Sequence, residues 1–448
     1  MTAQHHDLTG GLVTFLMDTT LATIPQSAVH QGVRGFVNWL GCAMGGRHQP
    51  ETMKAAAALL PLAGFGRSTV IGHGRLTDCM TAAFLNSMSS SALSYNEYHP
   101  DTVLHPVGPV AAAVAALGEE CGLDGKGAVE AIVIGVEVAI RCGIALLKPP
   151  AQAHTGLSPT GAAVPIGVAA AAAKVLRLNA AQTRAALGLA TGQAGGLRET
   201  IGAMSGAFIP AQTVRPGVIA ALLARQDFTC TPHVLEGPHG LLAVFGGNST
   251  AENMLENVGT AFALESVSYK LYPGGVWIHA AVDAALAIAS RKSLRENDIA
   301  AIDVHVHPRA VEIAGHSAPR SAREAQASLP HWVSAALLRN KAGVAEASDE
   351  AVQNPAIVSL RSRVRLHADG NLAVTAARCA VTLSNGEVLE HHVQHCRGSI
   401  MTPASDTDLT EKFIDQVDYA GYKDGAAIAQ QAWEILDCSD ISQLLQQC

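Results

Sequence analysis

AVEAIVIGVEVAIRCGIALL, residues 128–147, is apolar over most of its surface, and of its three charges, Glu130, Glu137 and Arg141, the last two stand four apart. That spacing puts them on one helical face, where a buried pair can neutralise itself. A helix apolar all round belongs inside a protein. The segments around it are similar. Residues 161–176 and 216–225 read as further apolar helices, and residues 111–116 and 169–173 carry alanine runs. Alanine is the strongest helix former and lets helix axes approach closely. From Leu8 to about Gly259 the pattern is helical, broken by Gly/Pro/Ser-rich turns at residues 64–74, 99–109, 154–161 and 191–210, and such loops are where sites tend to lie.

Beyond residue 265 the periodicity changes. Residues 302–307 (IDVHVH) alternate with period two, as do 364–367, 373–383 and 387–393, and Ser384-Asn385-Gly386 marks a hairpin between the last two. Helical patterns return at residues 279–291 and 328–339, and the stretch from Asp406 to Glu411 opens another helix. The expected architecture is mainly α with a smaller α+β part. A helical domain takes residues 1–265 and 400–448, and an α+β lid domain takes residues 266–399.

Composition narrows the class. The 448 residues are 48% apolar and 15% charged, with nineteen aromatics (9 Phe, 4 Trp, 6 Tyr) and a formal charge of −8. This is ample apolar surface for a folded core. No basic block provides a nucleic-acid footprint. The apolar windows 104–118 and 208–224 are interrupted, the first by prolines and the second by Gln212 and Arg215, so no membrane span is expected. Residues 1–11 lack the basic and apolar regions of a secretory leader. Nine scattered cysteines without a Cys-x-x-Cys fit reduced thiols, and the expected compartment is the cytoplasm.

Most simple motifs fail. Gly64-Phe65-Gly66 and Gly72-His73-Gly74 do not complete a phosphate loop and read as turns. His305 and His307, and His391 and His395, lack metal-ligand companions, so no metal is expected. No Gly-x-Ser-x-Gly elbow exists. Two segments remain, each weighed against a plain surface loop or a packed hinge. YNEYHPDTVLHP (residues 95–106) gathers two Tyr, two His and two acids in a chain poor in such groups, and the prolines after His99 and His105 restrict the backbone. YKLYPGGVWIH (residues 269–279) sets Lys270 among aromatics before a Gly-Gly turn and His279, a combination suited to proton transfer and anion binding. Arg198 and Arg215 are candidate carboxylate clamps or exposed charges.

At these residues the sequence resembles the MmgE/PrpD family, which includes 2-methylcitrate dehydratase and cis-aconitate decarboxylase. The likeness also runs through residues 156–178, 196–224, 235–240, 268–273, 324–338 and 403–413. It implies a helical domain with an α+β lid, a homodimer, a small anionic polycarboxylate substrate, and no metal or organic cofactor. It also implies departures. A family aspartate falls on Ser94, a threonine on Tyr98, a histidine on Ser158, a lysine on Gly206, a histidine on Gly275 and a tyrosine on His331. His105 and Lys270 are retained, and His279 matches a further family histidine. With half of the polar set replaced, the step left in common is proton transfer beside a carboxylate, and one family branch does this as iminodisuccinate epimerase. The expectation is therefore an isomerase, a cofactor-independent epimerase of a polycarboxylate, with a dehydratase or decarboxylase of a tri- or dicarboxylate as the alternative and an anion-binding scaffold as a third. His105, Lys270, Tyr98 and Tyr272 are the acid–base candidates. His99, Arg198, Arg215, His279 and His331 are the substrate-binding candidates.

Overall fold

A computed structural model describes residues 7–149, 151–247 and 252–448. The leader expectation for residues 1–11 therefore rests mostly on residues outside the described set. Two compact units emerge. One takes in the described parts of Met1–Ala92 and Asn96–Val267 together with Tyr422–Cys448. The other comprises Leu93–Tyr95 and Ser268–Gly421. The large helical part and the small α+β part of the expected fold class are both present.

The main helices of the first unit are α1 (Leu8–Asp18), α2 (Gln26–Gly45), α3 (Pro50–Leu59), α4 (Cys79–Ala92), α5 (Val107–Cys121), α6 (Gly125–Leu147), α7 (Pro159–Val175), α8 (Ala180–Thr191) and α9 (Ser205–Arg225). Helix α7 is the hub, packed by α5, α6, α8 and α9, and its residues 160–173 are all buried. Alanine and glycine make this possible. A Cβ on Gly135 of α6 would lie 2.8 Å from the Gly167 carbonyl oxygen of α7, so the two backbones touch where neither residue has a side chain.

The Glu137–Arg141 pair is buried as expected, at 2.6 Å. It does more than neutralise itself. The arginine donates to the carbonyls of Met254 (3.0 Å), Glu256 (2.8 Å) and Ala261 (2.9 Å), and the Leu264 amide donates to Glu137 at 3.0 Å. The pair thus pins an irregular stretch that offers few backbone partners of its own.

Two expected loops are shorter than the sequence suggests. Helix α5 begins at Val107 with Pro109 in its first turn, where proline costs no hydrogen bond. Helix α9 begins at Ser205 and carries Pro210 and Pro216 inside it. As a result α9 is the one described helix long and apolar enough to cross a membrane, although most of it is buried in the protein.

The second unit holds a four-stranded sheet in the order Val364–Ala368, Ile299–Val306, Ala377–Leu383, Val388–Val393. The first pair is parallel and the others antiparallel. Ile299, Ile302, Val304 and Val306 are buried, and Ala377, Cys379, Val381 and Leu383 alternate inward on the neighbouring strand. The turn after Leu383 closes through Gly386 at φ 89°, a value glycine supplies without strain. Helix His279–Ala289 packs on the sheet and on helix Leu329–Arg339, and helix Asp406–Tyr419 opens with a Ser405–Asp408 capping box.

The strand histidines are accounted for locally. His305 stacks on His367 with ring centroids 4.5 Å apart. The strand ends at Val306, and His307 instead caps the next helix by accepting from the Arg309 amide. Gly64-Phe65-Gly66 precedes the short hairpin of Ser68–Val70 and Arg75–Thr77, and Gly72-His73-Gly74 lies in its turn.

Candidate active site

In the first unit, the segment that opens with Asn96 folds back on itself. The His99 amide donates to the Leu104 carbonyl at 2.9 Å and the Val103 amide to the His99 carbonyl at 2.7 Å. His99 is buried, its Nδ1 is 2.7 Å from the Thr102 hydroxyl, and burial pushes its pKa down to about 4. Its place is that of a packed, neutral ring. Tyr98 is half-buried in the two-residue strand Glu97–Tyr98. His105 is also half-buried. Its Nδ1 lies 2.5 Å from the Glu97 carbonyl oxygen, and its amide donates to Thr160 Oγ1 at 3.2 Å, tying it to the start of α7. A carbonyl only accepts, so Nδ1 carries a proton.

Ser158 caps α7 by accepting from the Gly161 amide at 3.3 Å. Beside it, Leu157 bridges to Leu197, and Arg198 is exposed with one long contact, 3.5 Å, to the Thr155 carbonyl. Arg215 differs. Its guanidinium lies over the Phe84 ring at 4.5 Å on the α4–α9 contact.

In the second unit, Lys270 is 3% exposed, and its Nζ donates to the Ser94 carbonyl at 3.0 Å and to Ser94 Oγ at 3.4 Å. Ser94 sits at φ 51°, uncommon for a residue with a side chain. Tyr272 donates a short hydrogen bond to Asp283, whose other oxygen accepts the Arg397 amide at 2.7 Å. Burial raises the pKa of both Tyr272 and Asp283, and the Asp283 charge adds to the rise at Tyr272, so the phenol stays neutral.

His279 lies beside Tyr272, with ring centroids 5.2 Å apart. Burial drives its pKa down to about 3, with the Lys270 and Lys412 charges adding to the effect. Its buried Nε2 meets no hydrogen-bond partner among the described residues. His331 is fully buried in helix Leu329–Arg339. Its Nε2 donates to the Glu346 carbonyl at 2.8 Å, its ring sits edge-on to Trp332, and its pKa falls to about 4 through burial. It occupies a core position. An open cleft of about 800 Å³ in this unit is lined by Tyr272, Asp283, Arg397 and His391, His392 and His395.

Sequence reasoning passed over three residues that shape these clusters. Lys412 is buried and donates to the Tyr95 and Lys270 carbonyls at 2.6 and 2.8 Å, fixing the backbone on both sides of the Lys270 side chain. Asp283 is the one acid in the apolar helix HAAVDAALAIA, a signal that was available. Glu97 lay within the quoted loop. Among the described residues a possible metal cage occurs at Asp7, His233 and Glu236. Its donors are already engaged. Arg184 takes both Asp7 oxygens at 2.8 and 2.9 Å, and Glu236 receives His233 at 2.9 Å and Thr9 at 2.7 Å.

Residues 10–253 match the MmgE/PrpD N-terminal domain and residues 272–436 the MmgE/PrpD C-terminal domain. A cis-aconitate decarboxylase-like protein, oryM, of Aspergillus oryzae is 25% identical over 439 residues, covering 91% of this chain and 90% of that protein. The cis-aconitate decarboxylase of Homo sapiens is 25% identical, covering 81% of this chain and 79% of its own, and that of Mus musculus is 24% identical over similar shares.

Proposed function

The chain belongs to the MmgE/PrpD family, and from that premise we propose that it is a lyase of a small tri- or dicarboxylate, a decarboxylase or dehydratase. Relatives named as cis-aconitate decarboxylases align along most of its length, which supports this class of chemistry. The observation that carries the proposal is Lys270, a buried ammonium held by Ser94. Loss of carbon dioxide or of a proton beside a carboxylate leaves an enediolate-like anion. A fixed positive charge in a water-poor setting stabilises it far more than water would. His279, unable to take a proton near neutral pH, serves as an acceptor. Tyr272, kept protonated by burial and by the Asp283 charge, gives its one O–H to Asp283 and offers its oxygen as an acceptor. His105 is the acid–base group that the family retains. Exposed Arg198 suits a substrate carboxylate. The site needs no metal or organic cofactor, and the protein works as a cytoplasmic homodimer.

A second reading is epimerisation, with iminodisuccinate as substrate. Ser94 favours it. It places a hydroxyl beside Lys270 where the resemblance puts an aspartate in the lyases, and Gly206 and Gly275 offer no side chain where those enzymes have a lysine and a histidine. An epimerase needs only proton removal and return at one carbon.

One experiment separates the two. The purified protein is incubated in deuterated water with cis-aconitate, 2-methylcitrate or one stereoisomer of iminodisuccinate. Release of carbon dioxide, or a change in C=C absorbance, establishes the lyase. Deuterium at the α-carbon with inversion and no new C=C establishes the epimerase. Neither signal from any of the three overturns both.

A further inference from the structure

Glu97 joins the two ends of the 96–106 loop through two different groups. Its side chain is fully buried, and one carboxylate oxygen accepts the Val107 amide at 2.9 Å and the Gly108 amide at 3.3 Å, the first donors of α5. The other oxygen receives Asn38 Nδ2 at 3.4 Å. An anion at a helix N-terminus meets unsatisfied amides and the positive end of the dipole. The Glu97 carbonyl oxygen, on the same residue, is 2.5 Å from His105 Nδ1. Because the carboxylate clamps the residue to α5, the carbonyl has one position. His105, two residues before that helix begins, turns its ring to meet it.

We propose that Glu97 is a positioning residue that fixes the tautomer and the direction of His105. The proposal rests on His105 being an acid–base group of the reaction suggested above. Glu97 itself touches no substrate in this scheme. Its carboxylate sets the backbone, the backbone carbonyl binds Nδ1–H, and the proton exchange of the reaction is assigned to Nε2. Orientation of this kind is worth a large factor, because a catalytic group displaced by about 1 Å can cost about 100-fold in rate.

Glu97→Ala removes the clamp, whereas Glu97→Gln keeps an oxygen that can accept from the α5 amides. Histidine-labelled protein, with the His105 signal assigned by substitution, reports the tautomer by nitrogen NMR without any substrate. The expected result has four parts. Wild type shows Nδ1–H at His105, Glu97→Ala shows a mixture, kcat in Glu97→Ala falls about 10–100-fold with little change in KM, and Glu97→Gln restores both tautomer and rate. A His105 that carries its proton on Nε2 in wild type overturns the proposal, as does one that stays Nδ1–H in Glu97→Ala. A rate that merely tracks the folded fraction overturns it too. The tautomer measurement stands whether or not the reaction is found, so failure of the proposed function shows separately, as absence of turnover in wild type.

Discussion

His105 and His279 stand in opposite conditions. His105 is half-buried on a loop, with one nitrogen committed to a carbonyl. His279 is shut inside the second unit, its pKa pressed down to about 3 by burial, with a buried nitrogen that finds no hydrogen-bond partner among the described residues. A histidine held that far below neutrality accepts hydrogen bonds but does not act as an acid at pH 7. Under the proposed function, Lys270, His279 and the Tyr272–Asp283 pair are the groups of fixed polarity and His105 is the exchanging group.

The largest test falls on the fixed charge. Lys270→Met keeps the buried stem and deletes the ammonium, so it should lower kcat by about 10²–10³-fold, the usual cost of one preorganised oxyanion contact. Melting should show the variant still folded, because Ser94 loses only one donor. If the variant keeps most of its rate, the second cluster is a packed hinge and catalysis rests on the loop alone.

Much of the frame behind this contrast is visible in the sequence, for physical reasons. Residues 128–147 read as a buried helix because only Glu130, Glu137 and Arg141 are charged in an otherwise apolar run, and α6 spans them. Residues 302–307 and 364–367 read as strands because period two survives wherever one sheet face is covered. The prolines of α9 misled, since proline lowers helix propensity locally while tertiary packing restores the helix. The site was legible only in part. Lys270 and His105 stood out by residue type and context. Glu97 did not, because its importance lies in which amides it meets. Lys412 did not, because a lysine in a helix with Glu411 and Asp415 looks like a solvated face. Burial is a property of the packed chain, and it separates His331 in the core from His105 at the rim.

The buried histidines also make a claim on stability. His279 falls to about 3, and His99 and His331 to about 4, from an ordinary 6.5. As pH drops below 6.5 the unfolded chain takes protons that these folded rings refuse, so their contribution is present above 6.5 and is lost on acidification. Each should cost about 2 kcal/mol between pH 7 and pH 5. Glu119 runs the other way. Burial raises it to about 7, so its contribution is present below its ordinary 4.5 and is lost as pH rises through 7. Denaturant unfolding at the two pH values should show a flatter dependence in His279→Gln and a steeper one in Glu119→Gln. Equal slopes in both variants and wild type would remove the claim that the second unit holds its histidine neutral.

The smallest effect separates the two arginines. Arg198 is exposed, and its one described contact is long, so a planar fork is left to meet a carboxylate. Arg215 already covers the Phe84 ring, which Phe208 also meets edge-on at 5.9 Å. Arg215→Met should therefore leave kcat and KM where they are and cost only the stacking, about 0.5–1 kcal/mol of stability. Arg198→Lys keeps the charge but loses the fork, so it should raise KM and spare both kcat and stability. Steady-state kinetics and denaturant melts on the two variants decide the matter. A KM effect in Arg215→Met with none in Arg198→Lys would transfer the carboxylate clamp from the 198 turn to α9, and would show that a cation–π contact in this structure breaks when substrate arrives.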